Sequence, residues 1–437
     1  MSQKKHLNSA KTPHYKNTAN CVAVEMPIPD VVRISMSHNI GKHCQPLVKK
    51  GDEVKVGQLI GDVDAFISAP IYSSVSGVVT GIETERGGMG GEVQVVVIET
   101  DKKQEVYEGI AVPEVNSHAD FVKAVRASGV VGLGGASFPT HVKYNPQNLE
   151  EVDTLIINAA ECEPFITCDN RTMIDDAENL IYGMEQIMKW LDLKQGYVGI
   201  EENKPEAIAN LDRLFKEKGL DDRMHTFTLQ SRYPKGAERV LVYEITGKTM
   251  NAGVLPAQLG IILSNVTTVA AVGAFLQTGM PYVLKTVTVD GDAIAEPKNV
   301  KAPIGATVYD IVQFCGGYKK PVKKIVLGGP MMGRTIASDA VGIVKYNSAI
   351  LAFGEEMGAF PKETACINCA RCHSVCAFEL MPFALAAAYE QKDVDKLKEL
   401  RVMQCMECGS CSFICPAHRP LIFMNKLGKG LVREAGN

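Results

Sequence analysis

Between Val31 and Ile98 the chain runs in short apolar–polar alternations broken by glycine. Pro46-Leu47-Val48-Lys49-Lys50-Gly51-Asp52-Glu53-Val54 leads into Gly57-Gln58-Leu59-Ile60-Gly61, then Ile67-Ser68-Ala69-Pro70 and Val75-Ser76-Gly77-Val78-Val79. Runs of that length with Gly-centred turns predict a small β-sandwich. From about residue 117 the period changes. Phe121–Ser128 predicts a short amphipathic helix, Thr154–Asn158 a strand, Asp175–Leu191 a long helix and Gly196–Ile200 another strand. Strands alternating with helices predict an α/β domain with a covered parallel sheet. A new strand, Lys285–Asp290, opens a third piece, and Met381–Leu400 predicts a helix with Pro382 in its first turn. Residues 1–27 carry no such pattern and predict an extended polar tail.

The segment Thr249–Leu284 carries no charged residue. It does include Asn251, Gln258, Asn265, Gln277 and two prolines, which a lipid-facing helix tolerates poorly. A buried strand and helix is the better reading, so any membrane association is expected to be peripheral. At 437 residues the chain exceeds one core. A net charge of −4 points to no nucleic-acid surface. No apolar signal core opens the chain.

The chemistry concentrates near the C-terminus. Cys366, Cys369, Cys372 and Cys376 form one Cys-x-x-Cys-x-x-Cys-x-x-x-Cys run; Cys405, Cys408, Cys411 and Cys415 form a second, followed by Pro416. That run holds cubane iron–sulfur clusters, and in two-cluster ferredoxins its fourth cysteine ligates the other cluster. Three thiolates two residues apart can wrap one cube, while the fourth reaches across. The expected sets are therefore Cys366, Cys369, Cys372 and Cys415 for one 4Fe–4S cluster, and Cys405, Cys408, Cys411 and Cys376 for the other. Structural zinc needs only four ligands, and a disulfide framework needs an oxidising compartment. The first run has Ala377 where the second has its proline, a position that donates no ligand. Cys21, Cys44, Cys162, Cys168 and Cys315 show no paired spacing and read as packed thiols.

The glycine-rich stretch Gly132-Leu133-Gly134-Gly135-Ala136-Ser137-Phe138-Pro139-Thr140 lacks the strict dinucleotide spacing. Glycine permits close approach of backbone to phosphate, but it also serves plain tight turns. From the loop alone both readings stay open.

Together with Lys143, this loop resembles the flavin loop of the NADH-binding 51 kDa subunit of respiratory complex I. Asn158-Ala159-Ala160-Glu161-Cys162-Glu163-Pro164, Gly236-Ala237-Glu238 and Ser264-Asn265-Val266-Thr267-Thr268 resemble three further motifs of that family, in the same order. Three positions depart from it: Ala160, Ala237 and Ser264. The stretch 28–112 resembles the biotinyl/lipoyl carrier fold, with Val63-Asp64-Ala65-Phe66 at the hairpin tip where carriers present a lysine. Its fold is expected without its swinging arm. The third piece resembles an SLBB β-grasp domain. The whole order, with Gly-Gly-Pro-Met-Met-Gly at 328–333, is similar to the C subunits of the Rnf complexes.

The resemblance implies a multidomain α/β chain: a polar N-terminal tail (1–27), a biotinyl/lipoyl-like β-sandwich (28–112), a complex I 51 kDa-like flavin domain (113–280), an SLBB domain with connector (281–350) and a helical two-cluster ferredoxin-like domain (351–437). It implies non-covalent FMN, NAD(H) as substrate, and partners among the membrane and ferredoxin-type subunits of an Rnf complex at the cytoplasmic face of the membrane. Gly132, Gly134, Gly135 and Lys143 would hold the FMN phosphate side. Asn158, Glu161, Gly236, Glu238, Asn265 and Thr268 would line the flavin, and Glu163 and Phe138 would meet the nicotinamide nucleotide, with Glu163 the catalytic candidate. For Phe138 core packing is the equal alternative. Two other functions remain open at this point: a cobalamin reductase-like flavin and iron–sulfur protein, whose carrier-like segment lies elsewhere in its chain, and a non-catalytic electron relay or scaffold.

Overall fold

The alternation between Val31 and Thr100 folds as two small antiparallel sheets around one core; the computed structural model describes residues 7–86 and 91–436. The larger sheet orders Val31–Ser35, Glu92–Thr100, Gly77–Arg86 and Glu53–Val54, and the smaller orders Gln45–Pro46, Leu59–Asp62 and Ile71–Tyr72. Val32, Ile34, Ile60, Ile71, Val79, Val96 and Ile98 close the core between them, as alternating strands with one inward face require. The base of the carrier-like tip is tied down. Asp62 pairs with Arg126 of the helix His118–Ala127 at 2.8 Å. The buried Lys345 ammonium donates to the carbonyls of Pro70 and Gly129, both at 2.7 Å, and so pins sandwich, α/β domain and connector together. A swinging arm needs a free base, and this one is anchored on both sides of the tip.

Four parallel strands form the α/β domain: β1 (Thr154–Ala159), β2 (Gln195–Glu201), β3 (Met224–Leu229) and β4 (Ile261–Asn265), in the order β3-β2-β1-β4. Leu155 and Ile157 on β1 meet Leu180, Met184 and Val269 of the helices Ala177–Trp190 and Val266–Thr278 on one face. Ile156 meets Leu241 and Ile245 of the helix Glu238–Thr246 on the other. Burial on both faces explains the near-continuous apolar runs. The long helix expected over Asp175–Leu191 is present as Ala177–Trp190. Asp176, at φ −128 and ψ 25, separates Cys168–Asp175 from Ala177–Trp190. Thr249–Leu284 folds as β4 and a 13-residue helix. No helix among the described residues is long and apolar enough to cross a membrane.

The chain steps from β1 to β2 to β3 in one direction, then returns to place β4 on the far side of β1. In open α/β sheets such a switch in strand order opens a crevice at the carboxyl ends, where ligands bind. Here those ends carry Asn158–Glu161 and Asn265–Thr268.

The third piece is a six-stranded sheet ordered Val24–Glu25, Lys298–Pro303, Leu284–Asp290, Ala349–Phe353, Lys324–Leu327 and Arg334–Ile336. Two expected boundaries move. A division at 350/351 would cut Ala349–Phe353, a fully buried strand in the middle of this sheet. At the other end, Val24–Glu25 adds a parallel edge strand from the segment expected to be a tail. Residues 1–6 of that segment lie outside the described residues, but the rest, which turns at 17–20, is tied to the protein at several points. Ala10 pairs with Tyr233, Tyr15 stacks on Phe165 at 4.8 Å, and Asn299 donates to the carbonyls of Thr18 and Cys21. These contacts tie the segment down although much of its surface is exposed, so low hydrophobicity does not mark it as free chain.

In the C-terminal domain the helix expected over Met381–Leu400 is two, Pro382–Glu390 and Val394–Glu399. Lys392 at φ +55 turns the chain. Asp393 then accepts from the Lys396 N–H at 2.9 Å, an N-cap contribution of about 1 kcal/mol.

Candidate functional site

The glycine loop, the turn after β1 and the start of the helix after β4 meet in the crevice. The Leu133 N–H donates to the Thr268 hydroxyl at 2.9 Å, and the Asn265 side chain caps its helix by accepting from the Thr268 N–H at 3.2 Å. A Cβ on Gly134 would stand 3.0 Å from the Asn265 amide, a tighter contact than most, so the glycine eases the close approach of the loop; Gly135 follows at φ +117 with open space beside it. Asn158 donates to the Gly236 carbonyl at 2.7 Å. Asp169 accepts from Asn265 at 2.8 Å and from the Thr267 hydroxyl at 2.7 Å. Lys143 donates to the Leu263 carbonyl at 2.8 Å, and Glu238 offsets part of the burial that lowers its pKa. Phe138 is half-buried, its carbonyl taken by the Gly132 N–H.

Three buried carboxyls stand beside this crevice. Glu161 Oε1 accepts from the Asp169 and Asn170 N–H groups at 2.6 and 3.3 Å, at the N-terminus of Cys168–Asp175. Glu163 Oε2 accepts from the Met331 N–H at 3.0 Å. A Cβ on Gly329 would fall 2.2 Å from that same oxygen, so the Gly328–Gly333 loop closes over Glu163 only because position 329 has no side chain. Glu201, at the end of β2, lies 3.8 Å from the Lys204 ammonium. Burial raises all three to about 7, against the lowering pull of Lys16 and Lys204 on Glu161, the Met331 and Met332 N–H groups on Glu163, and Lys204 and Lys16 on Glu201. Each carboxyl keeps one buried oxygen without a protein partner: Glu161 Oε2, Glu163 Oε1 and Glu201 Oε1. Groups poised this way can take or release a proton near neutral pH. The open glycine turn and these unpaired oxygens fit a polar ring-shaped cofactor such as a flavin.

The cysteines gather around two spaces. A small pocket is lined by Cys366, Cys369, Cys372 and Cys415, with Phe383 and Leu421 among its apolar walls. Cys411 is buried against Cys408, Cys405 and Cys376, and burial followed by those three thiols raises its pKa. Burial likewise raises Cys376, opposed by the N–H groups of Leu380 and Phe378, with Cys408 adding to the rise. The fourth cysteine of each run thus sits with the first three of the other. Thiols crowded this way resist ionisation until a cationic cluster compensates them, and backbone N–H groups aimed at the sulfurs are what tunes such a cluster. The donor sets fit two cubanes.

The second run abuts the crevice. Tyr233, whose hydroxyl donates to the Cys408 carbonyl at 2.7 Å, also reaches Glu163. Arg239 donates to the Gln404 carbonyl and side chain at 2.9 and 2.7 Å, and stacks 3.9 Å over Phe378. Cys366 and Cys369 of the first run face solvent.

Four family models match in order: an RnfC barrel sandwich hybrid domain (residues 7–103), a Nuo51 FMN-binding domain (125–274), an SLBB domain (286–335) and a 4Fe-4S dicluster domain (360–416). The C subunit of the proton-translocating ferredoxin:NAD(+) oxidoreductase complex of Clostridium ljungdahlii is 40% identical, over 87% of this chain and 82% of that one. The C subunit of the Na(+)-translocating complex of Acetobacterium woodii is 37% identical, over 94% and 93%. The chain belongs to the family of C subunits of ion-translocating oxidoreductase complexes. The fold is also shared with a chain of the NAD+-reducing [NiFe]-hydrogenase solved in its H2-reduced state, with a TM-score of 0.51 and 18% identity. That match covers 74% of this chain and 62% of the hydrogenase chain.

Within this family member the structure brings Gly132, Gly134, Gly135, Asn158, Glu161, Gly236, Asn265 and Thr268 to one crevice, with Lys143 and Glu238 at its side. Glu163 lies apart from them, under the Gly328–Gly333 loop and toward the cluster domain. Sequence reasoning missed Lys16, Asp169, Glu201, Lys204 and Tyr233. Asp169 and Glu201 carried a signal, since both follow the carboxyl ends of predicted parallel strands. Lys16 carried none.

Proposed function

We propose that this chain is the NADH-facing electron-transfer subunit of an Rnf-type complex, passing electrons between NAD(H), FMN and two 4Fe–4S clusters. The observation that carries the reading is the seating of the second cysteine run directly against the crevice at the β1/β4 switch, through Tyr233 and Arg239. A two-electron site and a one-electron carrier so joined make a wire. FMN, when bound, supplies the exchange between hydride and single electrons.

Gly132, Gly134, Gly135 and Lys143 hold its phosphate side in this reading. Asn158, Glu161, Gly236, Glu238, Asn265 and Thr268 line the ring system. Glu163 and Phe138 face the nicotinamide, and Glu163 holds or gives up a proton at its unpaired Oε1. Cys405, Cys408, Cys411 and Cys376 carry the cluster nearer the flavin. Cys366, Cys369, Cys372 and Cys415 carry the outer one, whose exposed side faces a membrane or ferredoxin-type subunit. Attachment at the cytoplasmic face is then peripheral, through those subunits.

The test is an anaerobic preparation of the full chain, assayed for FMN and iron and then mixed with NADH. Wild type is expected to hold one FMN and about eight iron, and its flavin is expected to bleach. Glu163→Gln is expected to keep FMN and bleach at least tenfold more slowly, the usual scale of a positioned acid–base group. A wild type that holds FMN yet never bleaches with NADH would make the chain a relay.

A further inference from the structure

The segment Ala10–Cys21 straps across the crevice, and Lys16 leaves it to enter the protein. Its ammonium donates to the carbonyls of Glu161 at 2.7 Å, Glu163 at 2.9 Å and Ile166 at 2.6 Å. All three acceptors lie on one short turn, which holds Glu161 at φ +49 and Phe165 at φ +71. Such conformations are uncommon for residues with side chains and persist where the surroundings enforce them. An ammonium has three donors and no acceptor. Three converging carbonyls therefore use all of them, which only the charged form can satisfy. Burial opposes that charge; the Glu161 and Glu201 carboxylates favour it, and Lys204 opposes it.

The strap is held on both sides of Lys16. Ala10 exchanges backbone hydrogen bonds with Tyr233 at 2.7 and 3.0 Å, the His14 carbonyl accepts from the Phe165 N–H at 3.0 Å, and Asn299 holds Thr18. Lys16 is thus delivered to a fixed point, where it is the common partner of two of the three residues that carry the site's carboxyls, Glu161 and Glu163.

We propose that Lys16 is the positioning residue of the flavin site: its three hydrogen bonds fix the Glu161–Ile166 turn, and its charge, with that of Lys204, is set beside the site's carboxyls. The proposal rests on the crevice being that flavin site.

The test uses full-length wild type, Lys16→Ala and Lys16→Arg, stripped of FMN and titrated with it by flavin fluorescence. Iron content and cluster EPR report whether each variant is folded. Lys16→Ala is expected to bind FMN ~10- to 100-fold more weakly, the scale for losing charged hydrogen bonds that leave buried acceptors unpaired. Ethylammonium, which fits the vacated space, is expected to restore most of the affinity; tetramethylammonium, which has no N–H, is not. Lys16→Arg keeps the charge, but its planar fork cannot meet three carbonyls at one point, so it is expected to bind several-fold more weakly. Wild-type affinity in either variant overturns the proposal. So does a weakened Lys16→Ala that ethylammonium leaves unchanged, because a strap that only glues the chain end would behave that way. If Lys16→Ala does not fold, Lys16→Arg alone decides. A wild type that takes up no FMN sinks the flavin reading and this proposal together, whereas tight wild-type binding with tight variant binding sinks only the role of Lys16.

Discussion

The cluster domain and the α/β domain make opposite use of the chain. In the α/β domain a parallel sheet is covered on both faces, and its core runs from Phe121 to Leu276. The crevice is a by-product of strand order on a frame that is already stable. In the cluster domain the apolar groups are small: Leu380, Leu385, Ala388, Leu397, Leu400 and Val402 in one, and Cys372, Ala386, Cys411 and Leu421 in the other. The second of these includes cluster ligands. A core this small leaves much of its surface in water. What joins the short helices there is the set of thiols around two spaces. One site sits on a fold, and the other is the fold.

That contrast can be broken by removing each cofactor. Metal binding to a site that the unfolded chain lacks is itself folding energy. Stripping the clusters by chelation and oxidation is expected to open residues 360–436 to proteolysis and to lose most of their helical circular dichroism. The 113–353 portion is expected to survive as a resistant fragment. Stripping FMN is expected to leave the proteolysis pattern unchanged. If the cluster-free chain stays resistant throughout, the apolar groups alone hold the domain and the contrast is wrong.

A narrower change tests the grouping of thiols. Cys376 lies with Cys405, Cys408 and Cys411, and Cys415 lies with Cys366, Cys369 and Cys372. Cys376→Ser is therefore expected to leave the same reduced-state EPR spectrum as Cys408→Ser, and Cys415→Ser the same as Cys369→Ser. Each should lose about half of the iron. The reverse pairing of spectra would mean that each run closes its own cluster.

The same contrast decides what could be read before the structure. The eight thiols of the two runs lie between 366 and 415, and their spacing already predicts the grouping across runs that the EPR comparison tests. The four flavin-type motifs were legible as strand ends, and the crevice gathers them. Lys16 was not, because its partners are backbone carbonyls at least 145 positions away, and a carbonyl has no sequence signature. Gly329 had only its neighbours to mark it, with no hint that it must clear a path for Glu163. The break at Lys392 falls inside a helix-favouring stretch, where a local turn overrides the apolar period.

The smallest expected effect concerns the charge stored in the α/β domain. Glu163 has its folded-state pKa raised by burial to about 7, above the ordinary 4.5. A carboxyl raised in this way binds its proton more tightly folded than unfolded. Its contribution is fully present below pH 4.5 and is lost as pH rises toward 7, because the folded state must then ionise a buried acid. Each tenfold difference in proton affinity between the two states is worth about 1.4 kcal/mol. Glu163→Gln keeps an oxygen for the Met331 N–H but cannot ionise. In FMN-free protein the variant is therefore expected to match wild type in denaturant stability near pH 4.5. Above pH 7 it should exceed wild type by roughly 3 kcal/mol at most. Exposed groups titrate alike in both proteins and cancel in the difference. In the cluster domain no such gain is available, since removing a buried thiol there also removes a ligand. Identical pH curves for wild type and Glu163→Gln would show that water reaches Oε1 and that the carboxyl beneath the Gly328–Gly333 loop is not held in a dry site.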